Sequence, residues 1–280
     1  MKNIASAAVP VLTILAAIAA GGSGATAQSS GSMVELETPL ASAHPLAGYL
    51  RRPNRPGPLP AVVLLHSCSG NWRQVDERWG KRIASWGYVT LAVDSFGPRG
   101  ITNTCRDTPS NDFASDAFRA LKFLTHDPSV DPSRVAAVGF SMGGLFALLS
   151  VERSRFAQTS PNKFRAVVAF YPPCGGLKGN VTVPTLILIG ERDDLNWADD
   201  CRRMAEGRDG MGVSRQKDQA NLIKLIVYPD AHHAFDVPDP ENPRKLLGHH
   251  LEFNQSATDQ SIAAVREFLD ATIGDKEKNK

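Results

Sequence analysis

The chain contains 280 residues, and its 31 Lys and Arg residues are almost balanced by 29 Asp and Glu residues, so the formal net charge is +2. This balance, with no cluster of basic residues, argues against a nucleic-acid partner. The length is compatible with one large α/β domain built around a single core.

The amino terminus has the features of a secretory signal peptide. Lys2 supplies a positive charge, residues 7–20 are mostly apolar, and Ala25-Thr26-Ala27 has the small-residue pattern of a cleavage site. We predict cleavage after Ala27 and export to the periplasm or out of the cell, without stable membrane association; an uncleaved anchor is the alternative. Residues 28–280 are predicted to form a single domain, with residues 28–33 and 275–280 disordered.

Apolar segments of strand length alternate with segments of helical periodicity along the rest of the chain. Two opening strands, at residues 34–39 and 47–52, are expected to form an antiparallel hairpin, and buried strands are predicted at residues 61–65, 88–93, 134–139, 165–170, 185–189 and 222–228. Helices are predicted around Trp79, Ile83 and Trp86, around Ala114, Ala117, Phe118 and Leu121, at residues 145–151 and 198–206, and in a closing segment with Ile262, Val265, Phe268 and Leu269 on one face. This order predicts an α/β fold, with a mostly parallel, doubly wound sheet of about eight strands and helices on both faces.

The sharpest motif is Gly139-Phe140-Ser141-Met142-Gly143-Gly144, which follows a predicted strand and opens a predicted helix. This is G-x-S-x-G in a strand, turn and helix context, where small flanking residues permit the strained turn that lifts the serine clear of the sheet. The motif predicts that Ser141 is a nucleophile. The alternative is an ordinary glycine-rich turn in which Ser141 caps the helix.

An activated serine needs a base and an orienting carboxylate, which in this fold follow the nucleophile in the order acid, then histidine. His233 lies beyond the last predicted strand and precedes Ala234-Phe235, so we prefer it to His232, which is assigned a loop role. His249 and His250 are expected to be solvent-exposed loop residues. A metal site built from the paired histidines lacks a recognisable ligand spacing, and none is predicted.

The acidic candidates are Glu191, Asp193 and Asp194, at the end of a predicted buried strand. Asp193 stands three residues beyond Gly190, the position that this fold normally uses, so it is preferred as the orienting acid. Glu191 and Asp194 are interpreted as solvated loop charges or acids at the start of a helix.

The oxyanion of the reaction needs two hydrogen-bond donors. We assign the backbone N–H of Met142, directly after the nucleophile, and that of Cys68, in the loop after the first central strand. His66 in that loop is interpreted as a structural hydrogen-bonding residue.

The four cysteines follow pairs of predicted strands that should be neighbours in the sheet. Cys68 and Cys105 lie after one pair, and Cys174 and Cys201 after the next. Four cysteines allow three pairings, and this geometry favours Cys68 with Cys105 and Cys174 with Cys201. A reactive Cys68 thiol beside the site is the alternative. An exported chain would meet conditions in which disulfides persist.

Three motifs together resemble the dienelactone hydrolase family: the motif around Ser141, Gly190-Glu191-Arg192-Asp193-Asp194, and Ala231-His232-His233-Ala234-Phe235-Asp236. The resemblance runs from Val34 to the closing helix and includes residues 93–100. It implies an α/β-hydrolase fold, a triad of nucleophile, histidine and aspartate, no cofactor, and ester or lactone substrates. The family proper uses a cysteine nucleophile and often has a glutamate at the position of Ser67, so activity on dienelactones themselves is not expected.

The resemblance also bears on the substrate. Arg99 lies close to where the family places an arginine that binds a substrate carboxylate, which suggests an anionic substrate; a surface arginine paired with a loop acid is the alternative. Phe96, Trp197 and Trp72 are candidates to line the pocket, although core or rim packing is the commoner fate of such side chains. The leading prediction is a serine hydrolase that cleaves an ester or lactone of a small molecule. An exported binding protein without catalytic activity and an amidase or peptidase are the alternatives.

Overall fold

The computed structural model describes residues 30–37, 46–107, 111–153, 160–207, 222–239 and 243–275. The strands within these ranges are β1 (Ser30–Leu36), β2 (Leu46–Arg52), β3 (Leu59–Leu65), β4 (Val89–Asp94), β5 (Val130–Phe140), β6 (Ala166–Phe170), β7 (Thr185–Gly190), β8 (Ile223–Tyr228), β9 (Arg244–Leu246) and β10 (His249–Leu251). The helices are α1 (Trp72–Val75), a π turn (Asp76–Gly80), α2 (Lys81–Ser85), a 3-10 turn (Gly97–Arg99), α3 (Asn111–His126), α4 (Met142–Leu149), α5 (Ala198–Glu206) and α6 (Gln255–Thr272).

Eight strands form one sheet in the order β1-β2-β4-β3-β5-β6-β7-β8. The pairs β1 with β2 and β2 with β4 are antiparallel, and every pair from β4 onward is parallel. Every residue of β3, β6 and β7 is buried. Helices cover both faces of these central parallel strands, so the apolar side chains of the strands contact protein on either side of the sheet. The predicted mostly parallel α/β sheet is confirmed.

The parallel arrangement brings the carboxyl ends of β3, β5, β6, β7 and β8 to one edge of the sheet. Loops that follow these strands therefore converge although they are far apart in the chain, and this edge is where open α/β sheets bind ligands. The predicted helix at residues 145–151 begins earlier than expected, at Met142, directly after Ser141.

Two predictions of disorder need correction. Residues 30–33 belong to β1, where a seven-residue antiparallel ladder pairs Ser30 with Arg52 and Leu36 with Leu46. Strand pairing is made by backbone groups and does not require apolar side chains. The start of this exposed edge strand is polar, so it has no apolar pattern that would predict a strand. Asp275 is held by hydrogen bonds from Arg55 and Arg134 at 2.6 and 2.7 Å. The predicted signal peptide, residues 1–27, and the tail at residues 276–280 lie outside the described residues, among which no helix has the length and apolarity to cross a bilayer.

A small hairpin formed by β9 and β10 was also not predicted. Its turn contains Leu247 and Gly248, both with positive φ, of 55° and 92°. The hairpin lies against the loop after β8, since Leu251 forms a parallel bridge with His233.

Candidate active site

Ser141 occupies the turn between β5 and α4. Its backbone has φ 54° and ψ −114°, outside the regions that L-residues prefer, and its N–H donates to the carbonyl of Phe170 at 2.9 Å. Strain of this kind persists where the surroundings fix the chain, here β5, β6 and the start of α4. The turn presents the serine hydroxyl at the carboxyl edge of the sheet.

The glycines of the motif are required by close packing of backbone. A Cβ atom on Gly139 would overlap the carbonyl oxygen of Gly143, and a Cβ on Gly143 would overlap the carbonyl oxygens of Leu65 and His66. These close approaches let α4 start immediately after the strand, beside the loop that follows β3. A capping role for Ser141 is not supported, because its side chain makes no cap hydrogen bond to α4.

The structure brings the three predicted residues Ser141, His233 and Asp193 together. His233 Nε2 lies 3.2 Å from Ser141 Oγ, and His233 Nδ1 lies 2.8 Å from Asp193 Oδ2. All three residues are buried. With Nδ1 protonated and donating to the carboxylate, Nε2 is free to accept the serine proton, so the arrangement can activate a hydroxyl as a nucleophile.

Asp193 is fixed by the backbone of its own loop. Its Oδ1 accepts hydrogen bonds from the N–H groups of Leu195 and Asn196, at 3.1 and 2.8 Å, so both carboxylate oxygens have partners. Asp194 is exposed and accepts from the backbone N–H of His250, while Glu191 is exposed and pairs with Arg202. Of the three acids, only Asp193 contacts the imidazole of His233.

The other predicted loop histidines do not reach Ser141. The ring of His232 packs against that of His250, with centroids 4.1 Å apart. His249 and His250, expected to be exposed loop residues, are instead half-buried in β10. The expectation was wrong because strand pairing with β9 orders this polar segment.

The two amides assigned to the oxyanion come from segments that flank Ser141. Met142 is the first residue of α4, so its N–H has no acceptor within the helix. Cys68 lines the same cleft as Ser141, and its loop is tied down by the Cys68–Cys105 disulfide and by the N–H of Thr104, which donates to the Cys68 carbonyl at 2.9 Å. The second disulfide joins Cys174 and Cys201, and the structure has no free cysteine.

His66 lies beneath this loop. Its Nδ1 donates to the carbonyl of Ser67 at 2.7 Å, and its Nε2 accepts from the N–H of Ser95 at 3.3 Å. Burial lowers the pKa of the imidazole, which stays neutral and joins the loops after β3 and β4.

The cleft around Ser141 is formed by three parts of the chain. The loop after β3 and helix α1 contribute one wall, Phe140, Tyr171 and Val237 contribute a second, and the β9–β10 hairpin contributes Arg244, Leu246 and Leu251. Sequence reasoning missed Tyr171, although its position directly after β6 at the carboxyl edge of the sheet was a usable signal. The contribution of the hairpin had no comparable signal.

The candidate substrate-binding residues lie elsewhere. Arg99 makes a bidentate salt bridge with Asp116, at 2.6 and 2.8 Å, and its side chain is only 6% exposed. Phe96 is buried against His66 and Phe113, and Trp72 packs on Tyr49. Trp197 is 62% exposed and donates to the carbonyl of Asp194. None of these four side chains lines the cleft. The cleft walls come from segments that are brought together only by the tertiary fold, and the sequence pattern does not show which of them meet.

Tyr171 supports the imidazole from the side. Its ring meets that of His233 edge to face, with centroids 4.6 Å apart, and its hydroxyl donates to Asp236 Oδ1 at 2.7 Å. Trp79 Nε1 donates to the other oxygen of Asp236 at 2.8 Å. Burial, together with the charge of Asp236, raises the pKa of Tyr171 well above its usual value, so the phenol remains a neutral donor.

Comparison with known proteins gives one family match over most of the chain. Residues 46–273 match the model of the dienelactone hydrolase family. The chain is also 35% identical over 122 residues to Lipase 1 of Moraxella sp. (strain TA144), covering 42% of this chain and 33% of that protein. It is 30% identical over 187 residues to esterase FrsA of Klebsiella pneumoniae (strain 342), covering 61% of this chain and 40% of that protein. The chain thus spans about a third to two fifths of the length of these relatives.

Several solved structures share this fold, and their alignments with this chain include nearly the whole length of each of those structures. A dienelactone hydrolase-like promiscuous phosphotriesterase from metagenomic libraries has a TM-score of 0.69 at 21% identity, with 88% of this chain and 99% of that chain aligned. Dienelactone hydrolase from Anabaena variabilis has a TM-score of 0.58 at 20% identity, with 88% and 99% aligned. A Pyrococcus furiosus esterase has a TM-score of 0.62 at 18% identity, with 88% and 94% aligned. At these identities the likeness is one of fold.

Proposed function

The chain belongs to the dienelactone hydrolase family, and from this membership we propose that it hydrolyses a carboxylic ester or lactone of a small molecule, with Ser141 as the nucleophile. The observation that carries the proposal is the chain of hydrogen bonds from Ser141 Oγ through His233 to Asp193, at 3.2 and 2.8 Å. A serine hydroxyl is a poor nucleophile without such a base. The names of the relatives, a lipase and an esterase, point to the same class of bond.

In the first half of the proposed reaction, Ser141 Oγ attacks the acyl carbon while His233 Nε2 takes the hydroxyl proton. Asp193 accepts the hydrogen bond from Nδ1 and stabilises the imidazolium that forms. The tetrahedral intermediate then collapses, the bond to the leaving oxygen breaks, and His233 returns the proton to that oxygen. The products are an alcohol and an acyl group esterified to Ser141.

In the second half, water attacks the acyl-enzyme while His233 Nε2 takes a proton from it. Collapse of the second intermediate releases the acid and returns the proton to Ser141 Oγ. The N–H groups of Met142 and Cys68 are the proposed donors to the oxyanion in both halves, and the loss of one donor typically lowers turnover by about a hundredfold to a thousandfold. The anchoring of the Cys68 loop supports its part in the proposal.

We also propose that the protein works after export. The two disulfides indicate an oxidising compartment, since such bonds are rare where thiols are kept reduced. This agrees with the signal peptide predicted at residues 1–27.

The proposal is tested with Ser141→Ala on short activated esters. We expect the turnover number to fall at least about a thousandfold, because the nucleophile is lost while the rest of the site remains. Labelling by a fluorophosphonate probe, which reacts only with an activated serine, should be lost in parallel. Ser150→Ala is a matched control: Ser150 is buried at the other end of α4 and donates to the carbonyl of Ala147, away from His233.

Retained ester hydrolysis or labelling in Ser141→Ala would overturn the proposed nucleophile. A wild-type protein that neither reacts with the probe nor cleaves any ester would favour a binding protein. A protein that reacts with the probe but cleaves only amides or peptides would place the activity outside the ester class.

A further inference from the structure

The loop that carries His233 and strand β10 are joined by one isolated β-bridge. His233 and Leu251 face each other in a parallel bridge, and both line the cleft around Ser141. Side chains alternate between the two sides of an extended chain. His232, His250 and Glu252 are each offset by one residue from that pair, and none of them lines the cleft.

The side chains of these three residues form a cluster, here called the His-Glu cluster. One donor atom from each residue lies within 4.8 Å of the other two, and the cluster is half-buried. His250 Nε2 and Glu252 Oε2 are 2.7 Å apart. Among the described side chains, His232 Nδ1 is a buried nitrogen without a hydrogen-bond partner. A buried polar atom without a protein partner is uncommon, and it requires a partner such as a water molecule or an ion.

We propose that the His-Glu cluster binds one divalent transition-metal ion of the zinc type. Two imidazoles and one carboxylate are a known zinc ligand set, which leaves a fourth position for water. Zn²⁺ would bind Nε2 of the neutral His250 ring in the tautomer that carries its single proton on Nδ1, and would replace the present hydrogen bond between Nε2 and Glu252 Oε2. Zinc–nitrogen bonds near 2.0 Å in a tetrahedral site set donor spacings of about 3.3 Å. His250 Nε2 and Glu252 Oε2, now 2.7 Å apart, would therefore separate slightly, and His232 would move toward them.

The bound ion would act as a clamp and not as a part of the reaction, because the cluster lies outside the cleft. Backbone bonds already join the hairpin to the loop: Glu252 N–H donates to the carbonyl of His233 at 3.4 Å, and Asn254 N–H to that of Phe235 at 2.9 Å. The metal would add a bond between side chains of the same two segments. Since β9 and β10 supply Arg244, Leu246 and Leu251 to the cleft, the clamp would fix that wall.

This inference does not rest on the proposed hydrolase activity, so its test uses binding and stability. Full-length protein without a polyhistidine tag is freed of metal with a chelator and titrated with ZnCl2 against a chromophoric zinc indicator. We expect one zinc ion per chain and a rise in the thermal unfolding midpoint of several degrees, because a ligand that binds only the folded state stabilises it. Hydrogen exchange of residues 243–254 should slow in the same titration.

Variants identify the ligands. His250→Gln and Glu252→Gln should each weaken zinc binding at least about tenfold, the scale at which even indirect metal contacts act. His249→Gln is the matched control, because His249 is the neighbouring histidine of the same strand and belongs to no such cluster among the described residues. Substitution with Co²⁺ should give the visible absorption of a tetrahedral site, absent in His250→Gln.

The proposal is overturned if micromolar zinc does not bind stoichiometrically, or if binding survives in the His232→Gln, His250→Gln double variant. Equal loss in His249→Gln would also overturn it, since that would indicate loose surface binding. Urea unfolding of the metal-free variants checks that each one folds, so that a lost site is distinguished from a lost fold.

Discussion

Asp193 and Asp194 are neighbours in the chain but present their carboxylates to different surroundings. Asp193 is buried, accepts two backbone N–H groups at Oδ1 and holds Nδ1 of His233 at Oδ2. Asp194 is exposed and accepts one N–H from the hairpin. A carboxylate that is fixed in this way can favour a single tautomer of the imidazole.

Asp193→Asn should therefore lower the turnover number by about ten-thousandfold while leaving the fold intact, because an amide next to Nδ1 favours the wrong imidazole tautomer. Steady-state kinetics on a short activated ester measure the change. Asp194→Asn is the matched control and should stay close to the wild type. Comparable losses in the two variants would show that Asp193 has no special part in the reaction.

The residues nearest the proposed chemistry were predictable because each is tied to the end of a strand. Ser141 follows β5, Asp193 follows β7 and His233 follows β8. The cleft walls were not predictable in this way. The family motif places Arg99 at the substrate, but in the structure its guanidinium is paired with Asp116 from α3.

At the scale of elements, the strands with continuous apolar sequence were predicted and the polar ones were not. The β9–β10 hairpin has three-residue strands of mixed composition and a turn through Leu247, a residue type that seldom adopts positive φ. The hairpin is held by its contact with the loop after β8, where His233 bridges Leu251. Sequence patterns over a few neighbouring residues do not reveal such a contact. The same hairpin brings the histidines of the His-Glu cluster together.

The two disulfides tie different elements and should differ in effect. Cys174→Ala with Cys201→Ala opens a 27-residue separation and should cost about 3 to 4 kcal/mol of unfolding free energy in the chain-entropy model, with little change in turnover. Cys68→Ala with Cys105→Ala should cost a similar amount but also lower turnover at least about tenfold, since it frees the loop proposed to supply an oxyanion donor. Urea unfolding and ester kinetics measure the two effects. Equal turnover in the two double variants would contradict the role given to the Cys68 loop.

At the scale of the whole molecule, one sheet joins every part of the proposed site. Ser141 and His233 are 92 residues apart in the chain, and Asp193 and His233 are 40 apart, yet the hydrogen bonds among them are short. The convergence follows from the parallel order β3-β5-β6-β7-β8, which places the ends of these strands at one edge. The mostly parallel sheet was predictable from the alternation of strands and helices, whereas the order of its strands and the separations within the site come from the structure.

Because the core runs through all eight strands without a break, the elements from β1 to α6 should unfold as a single cooperative domain. We expect far-UV circular dichroism, tryptophan fluorescence and loss of ester hydrolysis to give coincident urea transitions. In Trp197→Phe the fluorescence reports only Trp72, Trp79 and Trp86, between β3 and β4, while the proposed mechanism also requires the loops after β7 and β8. A fluorescence transition in this variant that is well separated from the loss of activity would mean that the two halves of the sheet unfold independently, and the single-domain prediction would fail.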